Sequence, residues 1–151
     1  MPDRVQFELV TPERLMLSTE VEMVVVPGTE GNFGVLPGHS PLISAIRPGM
    51  IDIYQTRAAI SERIFVVGGI AEVTPERCTV LAEEAVLPGE LDRSAIEAEL
   101  QVIEGNLPSL REQVGRAADA DHDRLAAELR SLERQEAVDR AKLQALAATA
   151  H

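Results

Sequence analysis

Tryptophan is absent from the 151 residues, and three Phe and one Tyr are the only other large rings. So few rings provide no platform on which bases or a flat cofactor could stack, and any core must be aliphatic. Basic residues are also in short supply. Against 25 Asp and Glu there are 14 Lys and Arg, a net charge of −11, which argues against a chain whose main task is gripping nucleic-acid phosphate. The lone cysteine, Cys78, excludes an internal disulfide and leaves no CxxC pair for metal or redox work. It lies in the alternating run Arg77-Cys78-Thr79-Val80-Leu81, where a small buried hydrophobe is expected. Long apolar runs are missing too. The longest, Ile64 to Ala71, is interrupted by Gly68-Gly69 and falls far short of the roughly 20 residues of a membrane span. Met1-Pro2-Asp3 brings no basic n-region and no apolar stretch follows it, so a cytoplasmic protein is expected, one that meets a membrane only through a partner.

Signatures of catalysis are equally thin. GxSxG, HExxH, the P-loop and a strand-to-helix GxGxxG are all missing. His39, His122 and His151 are scattered along the chain. Glu83 and Glu84 are neighbours, but adjacent strand residues point to opposite faces and cannot share one site. Neither a catalytic site, nor a metal site, nor a cofactor is expected.

What the sequence does contain is two periodicities. From Val5 to about Val86 the hydrophobic period is two: Val5, Phe7 and Leu9 alternate with Gln6 and Glu8, and Val21, Met23 and Val25 alternate around Glu22. Turn signals punctuate these runs at Pro27-Gly28, Pro37-Gly38, Pro48-Gly49, Gly68-Gly69 and Pro75. Short strands with evenly spaced turns imply a small antiparallel β-sandwich or barrel. At Pro88-Gly89 the period changes. Ile96, Leu100, Ile103, Leu107, Leu110 and Val114 fall on one helical face, and Asp92 is placed to cap the helix start. Pro108 predicts a kink or break near Gly105-Asn106. A polar link from Ala118 to Asp123 is expected next, then a second helix from about Arg124 to Ala148. Leu125, Leu129 and Leu132 carry its stripe, which weakens before resuming at Leu143 and Leu146. The fold class is therefore α+β: a β-sandwich over 1–88, followed by a helical hairpin over 89–151.

The segment Pro27-Gly28-Thr29-Glu30-Gly31-Asn32-Phe33-Gly34-Val35-Leu36-Pro37-Gly38-His39-Ser40-Pro41-Leu42 has six glycines and prolines in its first twelve residues. Two tight turns around a short strand would account for it. So would a docking edge whose shape is set before binding, which lowers the ordering cost of association. This string, continued by Ile46-Arg47-Pro48-Gly49-Met50-Ile51, resembles the epsilon subunits of F-type ATP synthases. Val66-Val67-Gly68-Gly69-Ile70-Ala71-Glu72-Val73, Thr79-Val80-Leu81-Ala82-Glu83 and Leu91-Asp92 extend the resemblance, in order, over nearly the whole chain.

That resemblance implies a rotor component that is not itself an enzyme. The sandwich would bind the gamma subunit and rest on the polar loops of the c-ring, coupling proton-driven rotation to ATP synthesis at the cytoplasmic face of a bacterial inner membrane. By similarity, Glu30, Gly31, Asn32, Phe33, His39 and Ser40 would face the ring. Many relatives carry an acidic residue where this chain has Asn32, so a neutral hydrogen bond is expected in place of a charged one. The hairpin would be the regulatory part, packing down when folded and blocking hydrolysis when extended against the alpha/beta catalytic head. Arg124, Arg130, Arg134, Arg140 and Lys142 are the basic residues available for that contact, with solvated ion pairs such as Glu136 to Arg140 as the alternative use. Pro108 in the first helix implies a weak brake or a preference for the folded form. Some relatives bind ATP at the junction through Ile or Leu, Asp, two variable residues, Arg and Ala. Here Leu91 and Asp92 match while Ala95 stands at the arginine position, so useful ATP binding is not expected. The competing reading is a free-standing sandwich module with a coiled-coil tail.

Overall fold

A computed structural model describes residues 3–149; Met1, Pro2 and His151, all noted in the sequence, lie outside the described residues. The chain divides into two compact units, Met1–Glu90 and Leu91–His151.

Ten strands form the first unit: β1 (Val5–Val10), β2 (Leu15–Val21), β3 (Met23–Gly28), β4 (Gly31–Val35), β5 (Leu42–Ile46), β6 (Gly49–Tyr54), β7 (Glu62–Val66), β8 (Gly69–Val73), β9 (Arg77–Ala82) and β10 (Ala85–Val86). They hydrogen-bond in the order β10-β7-β6-β3-β5-β8-β9-β1-β2, with β4 paired to β3 off this path. The alternation seen in the sequence is the alternation of burial. Val5, Phe7 and Leu9 of β1 are wholly buried, as are Val24 and Val26 of β3 and Val80 of β9. One aliphatic cluster draws on both ends of the strand order, which makes the curled sheet a sandwich. Cys78 lies in this cluster, and burial pushes its thiol up to about 12.

The two leaves of the sandwich meet at one point. β3 and β5 share the single pair Gly28↔Ile46, whereas the pairings on either side run over three to five residues. This corner corrects one reading of the sequence. Pro27-Gly28 is not a turn but the end of β3, and the chain reverses at Thr29-Glu30. Pro27 fits there because its carbonyl accepts from the Arg47 backbone N–H at 3.0 Å, a bond that needs no proline donor. Gly28 fits because a side chain would not: an added Cβ would lie 2.8 Å from the Gly31 carbonyl oxygen. A second correction concerns strand direction. β1 and β9 are parallel, because the strand that opens the unit lies beside one that nearly closes it, each flanked by its own antiparallel neighbour.

In the second unit, α1 (Arg93–Arg116) is capped by Asp92, whose side chain accepts from the Ala95 N–H. Ile96, Ile103 and Leu107 form its buried stripe. Of the kink or break expected near Gly105-Asn106, the break does not occur: the helix runs on through Pro108. Pro108 deletes the bond to the Glu104 carbonyl, but buried Ile103 and Leu107 straddle that gap and their packing outweighs the loss. α2 (Asp119–Thr149) begins five residues before the expected Arg124, leaving Ala117-Ala118 as the link. The Ala118 carbonyl accepts from both Asp121 and His122 N–H at 2.9 Å. Asp119 and Asp121 in the first turn complement the helix dipole, so the acidic stretch starts the helix instead of preceding it.

Candidate docking site at the sandwich corner

The corner where the leaves join carries the segment singled out in the sequence. β3 and β4 form a hairpin closed by the pair Gly28↔Gly31, with Thr29 and Glu30 at its tip. Gly31 has φ +134, a conformation that L side chains rarely adopt, which allows so short a reversal. The Thr29 N–H donates to the Ala45 carbonyl at 3.0 Å, so the tip is bonded to the opposite leaf. Arg47 completes the tie. Its guanidinium donates from Nη1 to the Gly28 carbonyl and from Nη2 to Asn32 Oδ1. Guanidinium only donates, so Asn32 must turn its oxygen inward, and its amide N–H groups remain for a partner.

Beside this tip lies a groove of about 480 Å³ lined by Thr29 to Phe33 and by Leu42 to Ala45. Glu30, Gly31 and Asn32 are exposed on its rim, and Phe33 is half-buried, packed against the core. The opposite wall was not singled out in the sequence. Ile43 is its most prominent member, 72% exposed on an otherwise ordered strand. His39 and Ser40, expected to join this surface, lie in the connection between β4 and β5 and do not line the groove. His39 is fixed locally: its Nδ1 lies 2.7 Å from the Ser40 carbonyl, and its N–H donates to Leu36 O. The turn before it is held by Gly38 N–H donating to Pro75 O.

A second exposed surface crosses one leaf. The register places Ala45 opposite Ile70, Ile70 opposite Leu81, Leu81 opposite Val10, and Val10 opposite Leu15. Their inward neighbours Ala71, Val80 and Leu9 are buried, so this row points outward across β5, β8, β9, β1 and β2. Ile70, Leu81 and Leu15 are about half exposed (49%, 51% and 54%). A contiguous apolar row on an outer face marks an interaction surface. The signal was in the sequence: in Gly69-Ile70-Ala71-Glu72-Val73, Ile70 shares the phase of Glu72 and so belongs to the polar side.

In the helical unit the basic residues separate by environment. Arg140 is engaged across the hairpin with Glu104 and along α2 with Glu136. Arg124 pairs with Asp121 and Glu128. Arg130 and Arg134 are exposed one turn apart, and Lys142 faces the Glu99 carboxyl. The Asp92 carboxylate is used as the helix cap, Leu91 is half-buried, and Ala95 presents only a methyl group. Among the described residues no group of three or more His, Cys, Asp or Glu is placed to hold a metal ion.

The chain is similar to known proteins over most of its length. Residues 4–88 match the family described as ATP synthase, Delta/Epsilon chain, beta-sandwich domain. The chain is 48% identical over 140 residues to the ATP synthase epsilon chain of Rhodospirillum centenum, covering 92% of each protein. It is 47% identical over 126 residues to that of Rhodospirillum rubrum, covering 83% of this chain and 93% of the relative. Among solved structures, a chain of the Euglena gracilis mitochondrial ATP synthase, in a complex of OSCP, F1 and c-ring, shares the fold. Its TM-score is 0.70 at 19% identity, over 100% of this chain and 84% of that one.

Proposed function

This chain belongs to the ATP synthase epsilon chain family, and from that premise we propose that its two units divide one task in the rotor. The β unit is the coupling part. Its apolar row through Ile70, Leu81 and Leu15 docks on the gamma subunit, and its corner, with Glu30, Gly31, Asn32 and Phe33, meets the polar loops of the c-ring. The helical unit is the regulatory part, its basic residues Arg124, Arg130, Arg134, Arg140 and Lys142 contacting the alpha/beta head when the hairpin extends. The chain performs no catalysis of its own and is held peripherally at the cytoplasmic face of the bacterial inner membrane. Among the described residues no helix is long and apolar enough to cross a membrane.

The corner is the observation that carries this reading. Its tip is tied to the opposite leaf by Thr29 and Arg47 before any partner arrives, so little conformational entropy is lost on docking. Because Asn32 Oδ1 is already taken by Arg47, the group it offers the ring is an amide donor. A ring carbonyl or carboxylate suits it, whereas a ring arginine does not. His39 and Ser40, in the connection between β4 and β5, would extend the ring-facing surface beyond the groove.

The test is ATPase activity of a catalytic head stripped of its own epsilon subunit, titrated with this chain and with a version ending at Glu90. Binding of both, with inhibition by the full chain alone, is expected. Binding without inhibition by either retires the regulatory half and keeps the coupling half. No binding by either refutes the reading and moves the free-standing module to first place.

A further inference from the structure

Asp139 is an unusual residue for the seam of a helical hairpin. It has no exposed surface, and it lies on α2 beside buried Val138, on the side of the helix that also buries Ala145. Its Oδ1 accepts from Gln135 Nε2 at 3.0 Å, one turn earlier on the same helix. Its Oδ2 is buried with no donor, an arrangement strongly disfavoured for an ionised oxygen. The group that approaches the Asp139 side chain from α1 is Glu99. Glu99 lies three residues after Ile96 and four before Ile103, both buried, at the exposed edge of that stripe. Its carboxyl hydrogen-bonds to Asp139. Two ionised carboxylates have no donor to offer each other, so this contact is a hydrogen bond only when one proton lies between them. Facing the pair from α2 is Lys142. Arg140 and Glu136, the nearest other charges in sequence, are engaged with each other and with Glu104 of α1.

We propose that Glu99 and Asp139 are a shared-proton clasp between α1 and α2, which binds one proton when the helices pack and releases it when they part. Loss of hydration raises the Glu99 carboxyl above its ordinary value; the hydrogen bond to Asp139 and the charge of Asp139 raise it further, and Lys142 opposes them. Packing thus takes up a proton that separated helices release. The stabilisation is fully present below the ordinary value of 4.5 and is lost as pH climbs through the raised one. Above that range two negative charges face each other and Asp139 Oδ2 is bare. What the clasp governs rests on the regulatory reading of the hairpin: acid holds the helices together, and rising pH loosens them.

Amide hydrogen exchange of the full-length chain from pH 4, below the ordinary value of 4.5, up to pH 8, corrected for intrinsic exchange, tests the clasp directly. Strand peptides of the β unit serve as the internal reference. Protection of helical peptides spanning Ile96 to Leu107 and Gln135 to Leu146 is expected to fall with rising pH relative to that reference. The slope of release of one proton is at most about tenfold per pH unit. Glu99→Gln supplies a permanent amide donor to the Asp139 carboxylate, so its helical protection at pH 8 is expected to match that at pH 4. Asp139→Asn removes the second charge and is expected to flatten the profile as well. A flat wild-type profile, or a Glu99→Gln profile as steep as the wild type, overturns the proposal. Neither result alters binding to the catalytic head, so failure of the clasp and failure of the rotor assignment are read in separate experiments.

Discussion

Gly28→Ala tests how tightly the sandwich corner is closed. Gly28 is buried and ends β3, and the added Cβ would lie 2.8 Å from the Gly31 carbonyl oxygen and 3.0 Å from a Phe33 ring carbon. The ring can swing, but the carbonyl cannot retreat without opening the Gly28↔Gly31 pair that closes the hairpin. Overpacking of this kind costs about 1–3 kcal/mol. Alanine restricts the unfolded chain more than glycine does, which returns roughly 0.4–1 kcal/mol. The net loss then lies between about 0 and 2.6 kcal/mol, with a midpoint of about 1.3, and for a unit of this size each kcal/mol lowers Tm by roughly 4–8 °C. Gly34→Ala on the facing strand is the control, since its Cβ would meet only Met23 Sδ at 3.8 Å; no loss, and a gain of up to about 1 kcal/mol, is expected. Calorimetry of both variants in the full chain, with docking to the gamma and c-ring complex measured alongside, gives the comparison. If Gly28→Ala melts with Gly34→Ala, the corner has room to spare and its preset shape does not explain docking.

Three further outcomes follow from single residues. Cys78, buried with its thiol pushed up to about 12, should resist a thiol-specific reagent in the native chain at pH 8 and react fully once denaturant is added; prompt native labelling would contradict the burial. Asp92→Ala removes the α1 cap and should lower helical stability by about 1 kcal/mol, seen as lost amide protection in the first turn. Pro108→Ala restores the bond to the Glu104 carbonyl and should stabilise α1 by up to about 3 kcal/mol. If the rotor assignment holds, it should also strengthen inhibition of ATP hydrolysis, and unchanged inhibition would detach Pro108 from regulation.

What the sequence made legible was what one segment decides alone. Val5, Phe7 and Leu9 face the core because period two and a one-sided burial coincide. Asp92 caps α1 because a carboxylate before a helical stripe has free N–H groups within reach. The misreadings arise where distant segments meet. Pro27-Gly28 has the composition of a turn, yet the approach of Arg47 and Ile46 from another leaf makes it a strand end. The parallel β1–β9 pair joins residues about seventy apart in sequence, and no local pattern announces it. On α2 the stripe read from leucines is only half-buried, while Val138, Asp139 and Ala145 lie innermost. Small side chains allow the close approach that larger ones prevent, and the hydrophobic period gives them too little weight.

The same distinction explains why the candidate sites were only half seen. One wall of the corner groove, Thr29 to Phe33, was conspicuous because Pro27, Gly28, Gly34, Pro37 and Gly38 flank it; the other, Leu42 to Ala45, reads as an ordinary strand. Arg47 becomes informative only once the fold brings it, from the link between β5 and β6, to Asn32 fifteen residues away in sequence. Ile70 and Leu81 were different, since each sits in the outward phase of its strand and could have been marked as out of place from alternation alone. An apolar residue in the wrong phase carries a cost in solubility, and its neighbours across the sheet decide whether the misfit is isolated or part of a surface. Here the register lines up Ala45, Ile70, Leu81, Val10 and Leu15. A row continued over five strands is better explained by a partner that covers it than by five independent accidents.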